Sequence, residues 1–211
     1  MDLIFFGMQG SGKGTLGVSV AERYGLKIFE TGAELRKLAA QDSELAKKVK
    51  SIIEAGKLVS NEVVMEIVEN FMNNLPANTD ILFDGIPRKI EQAQSLNTLL
   101  NNHGRRYTGV LIELKEETAL HRLTTRQICE SCKAIYPANY NKENCEKCGG
   151  NLGLRADDNP EAIKTRLKTF KEETIPAIEL YKANLVKIDG EPQIDIVREN
   201  AFKLLDPIMK A

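Results

Sequence analysis

Gly7-Met8-Gln9-Gly10-Ser11-Gly12-Lys13-Gly14-Thr15 decides how the chain reads. Before it, Asp2-Leu3-Ile4-Phe5-Phe6 is a short apolar run of strand character. After it, Lys13 to Tyr24 has helical spacing and stops at Gly25, a residue suited to a helix C-terminus. A strand, a glycine-rich turn and a helix in that order aim backbone N–H groups and a positive helix end at one point. Gly7 to Lys13 fits G-x-x-x-x-G-K, in which the lysine reaches the outer phosphates of a nucleotide. The expected nucleotide contacts here are Gly10, Ser11, Gly12, Lys13, Gly14 and Thr15. Gly14 stands where the pattern carries Ser or Thr, so the magnesium contact falls to Thr15 or to water. Such a loop specifies a nucleotide, not an activity: kinases, GTPases, motors and transporters share it.

Outward from the loop, short apolar runs alternate with longer helical patterns. Strands are expected at Asp2–Phe6, Lys27–Phe29, Asp80–Asp84, Tyr107–Leu114 and Leu185–Asp189. Helices are expected at Lys13–Tyr24, Thr31–Ala40, Asp42–Ala55, Asn61–Leu75 after a Ser60 cap, Ile90 to Gly104, Glu116–Gln127 and Ile194–Ile208. Asn159 caps a further helix with Pro160 at its first position. This alternation predicts an α/β fold, a five-stranded parallel sheet flanked by helices. Ligands bind such sheets at the carboxyl ends of the strands, so the loops after Phe6, Phe29, Asp84 and Leu114 should share one cleft. Two stretches break the rhythm: a helical pair at 30–59 and a turn-rich segment at 128–159.

Composition fits one sizeable core. The 211 residues are 42% hydrophobic and 28% charged, which excludes a disordered chain. With 29 basic and 30 acidic residues the net charge is −1, so no basic footprint for nucleic acid or membrane stands out. The early apolar run is far shorter than the ~18 residues of a spanning helix, and Asp2 is wrong for a signal peptide. A cytoplasmic location is expected.

Cys129, Cys132, Cys145 and Cys148 form two C-x-x-C pairs with 12 residues between them. That spacing favours metal over disulfides, and four thiolates without histidine suggest a closed, structural zinc site. A bound metal would supply the folding free energy that the segment's few apolar residues cannot. Residues 129–150 hold three Lys (133, 142, 147) and three Glu (130, 143, 146), which cancel. This speaks against a zinc-bearing ATPase that binds nucleic acid.

Asp84-Gly85-Ile86-Pro87-Arg88 follows the third strand. Asp84 sits where the magnesium-organising acid of a phosphate-loop fold belongs, and Arg88 is brought to the cleft by the Gly and Pro. Thr31-Gly32-x-x-Leu35-Arg36 follows the second strand. Together with Gln92, Arg122, Arg126, Arg155-Ala156-Asp157-Asp158 and Arg166, these motifs resemble the adenylate kinase family of nucleoside monophosphate kinases. The resemblance spans essentially the whole chain.

It implies a P-loop NTPase fold with a core at 1–29, 60–126 and 160–211, a monophosphate-binding insert at 30–59 and a zinc-binding lid at 127–159. It implies reversible, magnesium-dependent transfer between ATP and AMP. Lys13, Arg88, Arg126, Arg155 and Arg166 would be catalytic, and Arg122 would stack on the ATP base with Arg126 on its phosphates. Thr31 and Gln92 would read the acceptor base; Arg36, Gly85, Arg88, Arg155 and Arg166 would hold AMP. Asp157 and Asp158 would organise the lid hinge or the metal's water shell. ATP, AMP and ADP are the expected partners of a monomeric chain, without nucleic acid or membrane.

Three positions depart from the family: Gln9 for a proline, Ala33 for an aspartate and Gln127 for an arginine. Thr31 and the long lid favour AMP over UMP or CMP. His103 and His121 read as surface residues, and Arg105-Arg106 as a solvated turn. The arginines suit this chemistry on physical grounds too, since phosphoryl transfer needs positioning and charge matching more than a base.

Overall fold

The structure is a computed structural model and describes residues 1–137, 140–154 and 158–210. The chain begins with β1 (Asp2–Phe6), α1 (Lys13–Tyr24), β2 (Lys27–Glu30), α2 (Thr31–Ala39) and α3 (Glu44–Glu54). It continues through α4 (Asn61–Asn73), β3 (Ile81–Asp84), α5 (Ile90–Asn102), β4 (Tyr107–Glu113) and α6 (Glu116–Thr125). A small antiparallel set follows: β5 (Gln127–Cys129), β6 (Ile135–Tyr136) and β7 (Leu152–Gly153). Then come α7 (Pro160–Thr169), a π-turn (Phe170–Thr174), α8 (Ile175–Glu179), β8 (Leu185–Asp189) and α9 (Ile194–Met209).

The main sheet runs β2-β3-β1-β4-β8, every neighbour parallel. β1 lies between β3 and β4, and all five of its residues are buried. Alternation sends Leu3 and Phe5 to one face and Ile4 and Phe6 to the other. Leu3 and Phe5 pack with α1 and α9 through Leu16, Val20, Val197 and Leu205. Ile4 and Phe6 pack with Phe29, Phe83, Val68, Leu96 and Tyr181 on the opposite face. Each face therefore has its own apolar layer, as a parallel sheet requires. Gly17 faces β3, and a Cβ there would meet the Leu82 methyls at 3.6 and 3.7 Å, an ordinary packing distance.

Two expectations are corrected. Gln127 does not end α6; that helix stops at Thr125, and Gln127 pairs with Tyr136 in the small sheet. The cause is non-local, because the sheet captures the backbone as soon as Arg126 turns extended. Arg105 is not a solvated turn residue. Its guanidinium makes two 2.6 Å bonds to Asp2, whose side chain is 1% exposed and also accepts the Ile81 N–H at 2.8 Å. Burial makes Asp2 costly without that partner, so the pair locks the sheet's amino end. Ser60 does occupy the N-cap of α4, but its hydroxyl caps no backbone N–H there. Among the described residues no helix is long and apolar enough to cross a membrane.

Candidate active site

At the carboxyl ends of the strands lies a cleft of about 760 Å³. Gly10 to Thr15, Thr31, Arg36, Asp84, Gly85, Arg88, Gln92, Arg122, Arg126 and Arg166 all line it. The turn after β8, from Gly190 to Gln193, joins them, except Glu191 itself. That turn was not among the loops expected to face the cleft, although the same strand-end rule reaches it. His121 is exposed, as expected, yet stands at the cleft's edge. Arg155 and Asp157 lie outside the described residues.

The glycine-rich loop takes its shape from left-handed backbone angles that favour glycine. Gly10 and Gly12 have φ of 86° and 87°. A Cβ on Gly10 would also stand 2.8 Å from the Ala119 carbonyl oxygen, so the loop packs directly against α6. The Lys13 ammonium bends back to donate to the Gly7 and Met8 carbonyls and lies 3.5 Å from Ser11 Oγ. Burial pushes its pKa down to about 8; Asp84 opposes this, and Arg88 and Arg126 add to it. Gly14 leaves open space beside Asp84: a Cβ there would lie 3.9 Å from Oδ2.

The turn from β3 to α5 is held from several sides. The Thr31 hydroxyl donates to the Asp84 carbonyl at 3.2 Å. Gln92 Oε1 accepts the Arg88 N–H at 2.9 Å, and Arg88 Nε donates to the Gly85 carbonyl at 2.8 Å. Gly85 has φ 84°, and a Cβ on it would meet Arg88 Nη2 at 2.8 Å. The Ile86–Pro87 peptide is cis. Burial pushes the Arg88 pKa down while Asp84 pulls it back. From the π-turn, the Thr174 hydroxyl donates to the Arg88 carbonyl at 3.1 Å. Across the cleft Arg36 contacts Glu30 at 3.1 Å.

Asp158 gathers two of the arginines. Arg126 grips it with a fork of two 2.7 Å bonds, and Arg166 adds one of 3.2 Å. The carboxylate is 3% exposed, so it works as a buried anchor beneath the two guanidinium groups. Arg126 leaves α6 for the small sheet, and Arg166 stands on α7, so Asp158 joins those elements. Arg122 donates to the Glu191 carbonyl at 3.2 Å. Glu30, Asp158 as the common anchor, and Glu191 were not picked out as such partners in the sequence. Glu30 ends β2 and Glu191 lies just past β8, both at the cleft end, a signal that could have found them.

The four cysteines form a separate cluster. Their Sγ atoms lie within 4.8 Å of one another, with Cys129–Cys148 and Cys132–Cys145 both at 3.5 Å. A disulfide needs about 2.05 Å, whereas a tetrahedron with Zn–S bonds of about 2.3 Å has edges of about 3.8 Å. The donor set therefore fits a tetrahedral metal. The two pairs are built alike. Lys133 and Gly149 donate to the Cys129 and Cys145 carbonyls, and the Cys129 and Cys145 N–H groups donate to the Ala134 and Gly150 carbonyls. Lys133 and Gly149 both have positive φ, 61° and 73°.

A family model for adenylate kinase matches residues 5–186. An adenylate kinase of Kosmotoga olearia is 37% identical over 213 residues, covering 98% of this chain and 99% of that protein. One of Archaeoglobus fulgidus is 36% identical over 217 residues, covering 99% of each. One of Staphylococcus aureus is 36% identical over 213 residues, covering 98% of this chain and 99% of that protein. With the parallel sheet, the glycine-rich loop and the arginine-lined cleft in their places, the chain belongs to the adenylate kinase family.

Proposed function

We infer that the cleft transfers the γ-phosphoryl group of ATP to AMP, directly and reversibly, giving two ADP. The observation that carries this is the convergence of Lys13, Arg36, Arg88, Arg122, Arg126 and Arg166 on one cleft beside an anion-binding loop. Two phosphate-bearing anions repel each other, and a wall of guanidinium groups offsets that repulsion while matching their oxygens in pairs. The loop N–H groups and Lys13 hold the ATP phosphates. Arg36 and Arg88 hold the acceptor phosphate, with Gly85 allowing Arg88 to fold close. Thr31 and Gln92 offer the acceptor base a hydroxyl lone pair and an amide NH2 group. Arg126 and Arg166, set side by side by Asp158, face the charge that spreads during transfer. Arg155 is assigned to the same group by the family resemblance alone.

Magnesium, brought in with ATP, would neutralise phosphate oxygens, and the space that Gly14 leaves beside Asp84 suits its water shell, with Thr15 nearby. The four cysteines would hold a structural zinc ion that folds residues 127–159. We assign that segment the role of a lid, since transfer to AMP rather than to water requires a closed site. Residues 30–59 would be the part that closes on AMP.

The test is acceptor choice. Purified protein with Mg-ATP and each common monophosphate should show the highest specificity constant for AMP. UMP or CMP used as well as AMP would overturn the base assignment.

A further inference from the structure

Glu191 fastens the turn after β8 to α6. Its Oε1 accepts the Lys115 N–H at 2.6 Å, and its Oε2 accepts the Thr118 hydroxyl at 2.9 Å. Its carbonyl accepts from Arg122 at 3.2 Å. On the other side the turn is pinned to β4. Gly190 N–H donates to the Glu113 carbonyl at 2.8 Å, and a Cβ on Gly190 would stand 2.7 Å from Ile112 Cγ2. Glu191 N–H closes on Asp189 Oδ1 at 2.9 Å. The N-cap residue of α6, Lys115, provides no side-chain cap, so the cap comes from Glu191, 76 positions away. A carboxylate suits a helix N-terminus, and the Lys115 N–H bond holds Glu191 below the usual carboxylate range.

The consequence lies one helical turn further on. Arg122 lines the cleft together with Pro192 and Gln193, and its guanidinium meets the Glu191 carbonyl of the same turn. How Arg122 sits against those residues depends on how the turn is held on α6, and Glu191 makes three hydrogen bonds that hold it there. We propose that Glu191 is a positioning residue for the donor nucleotide, setting the width of the slot that takes the ATP base. The inference rests on the reading of Arg122 as the contact to that base. The hydrogen bonds of Glu191 go to Lys115, Thr118, Arg122 and Asp189, none on the acceptor side or in the phosphate loop, so its main effect should fall on the base of ATP.

The experiment compares Glu191→Ala, Glu191→Gln, Thr118→Val and Arg122→Ala with the parent. Loss of the carboxylate should raise KM for ATP by about fivefold, the scale of one or two hydrogen bonds, with KM for AMP and kcat held within about twofold. Glu191→Gln should recover most of this, since its amide oxygen can still cap Lys115. Calorimetric binding of ATP should weaken in Glu191→Ala, while inorganic tripolyphosphate, which has no base, should bind as to the parent. Equal shifts for ATP and AMP, or for ATP and tripolyphosphate, would make Glu191 a merely structural residue and overturn the proposal. If Glu191→Ala does not fold, Thr118→Val carries the same comparison with a smaller expected shift. A raised KM for ATP in Arg122→Ala with Glu191→Ala at the parent value overturns this inference alone. An unchanged KM in Arg122→Ala overturns the donor-base reading and the inference with it.

Discussion

Lys13 is a cation held where burial disfavours one. Protein carbonyls wrap its ammonium, and its pKa falls to about 8. As pH rises through that value, the ligand-free loop loses the charge that attracts phosphate. A polyphosphate in the loop favours the ammonium and raises its pKa again. Binding of Mg-ATP should therefore take up about half a proton or more near pH 8.5 and almost none near pH 7. Calorimetry in buffers of different ionisation enthalpy measures this, and Lys13→Met should abolish the uptake. Equal uptake in parent and variant would mean that another group titrates. The stability sign is opposite to the binding sign. The folded pKa lies below the unfolded value of about 10.4, so the cost of burying the charge is full below about pH 8 and is relieved between the two. Lys13 was legible in the sequence because its neighbours in the chain build its surroundings. The partner of Arg126 was not, because Asp158 is 32 positions away and meets it only through the fold.

Elements with their own punctuation were the ones that could be read. α1 runs from Lys13 to Tyr24 and ends on Gly25 in the left-handed conformation, as its sequence predicts. α7 begins at Pro160, where a missing N–H costs nothing, and Asn159 Oδ1 accepts the Ala162 N–H at 2.9 Å. Asn159→Ala should lower stability by ~1 kcal/mol. In a chain of this size that is a drop of about 2–4 °C in Tm. Asn159→Asp restores the acceptor and should restore most of the loss. An alanine variant that melts with the parent would show that the cap contributes nothing. The end of α6 could not be read, because β-pairing to a distant strand decides it. The stretch from Phe170 to Asn184 carried no signal either. It turns through a π-turn, a short helix and a 3-10 turn, and its placement of Thr174 on the Arg88 carbonyl is a tertiary event.

At the scale of the whole molecule the cysteine segment and the sheet differ in how much apolar surface their own side chains bury. The sheet has an apolar layer on each face, and its strands bring large side chains such as Phe5, Phe29 and Phe83 to full burial. The cysteine segment buries Cys129, Tyr136 and Cys145, with Ala134, Tyr140 and Leu152 only partly covered. Ordering a backbone costs ~1–2 kcal/mol per residue, more than such a cluster returns. A four-thiolate zinc site supplies ~10–16 kcal/mol of apparent binding free energy at neutral pH, enough to close that gap. The segment's fold should therefore depend on metal while the core does not. Cys129→Ser, or a strong chelator, should remove the metal and speed amide exchange in residues 127–154. Exchange in β1, β3 and β4 should stay near the parent rate. Activity should fall or become heat-sensitive, because Arg126 sits at the segment's root and its guanidinium is aimed by Asp158 on the far side. Metal analysis with hydrogen exchange on parent and variant decides the matter. Stoichiometric metal retained by Cys129→Ser, or sheet amides that open as readily as the cysteine segment, would sink the division of labour between thiolates and core.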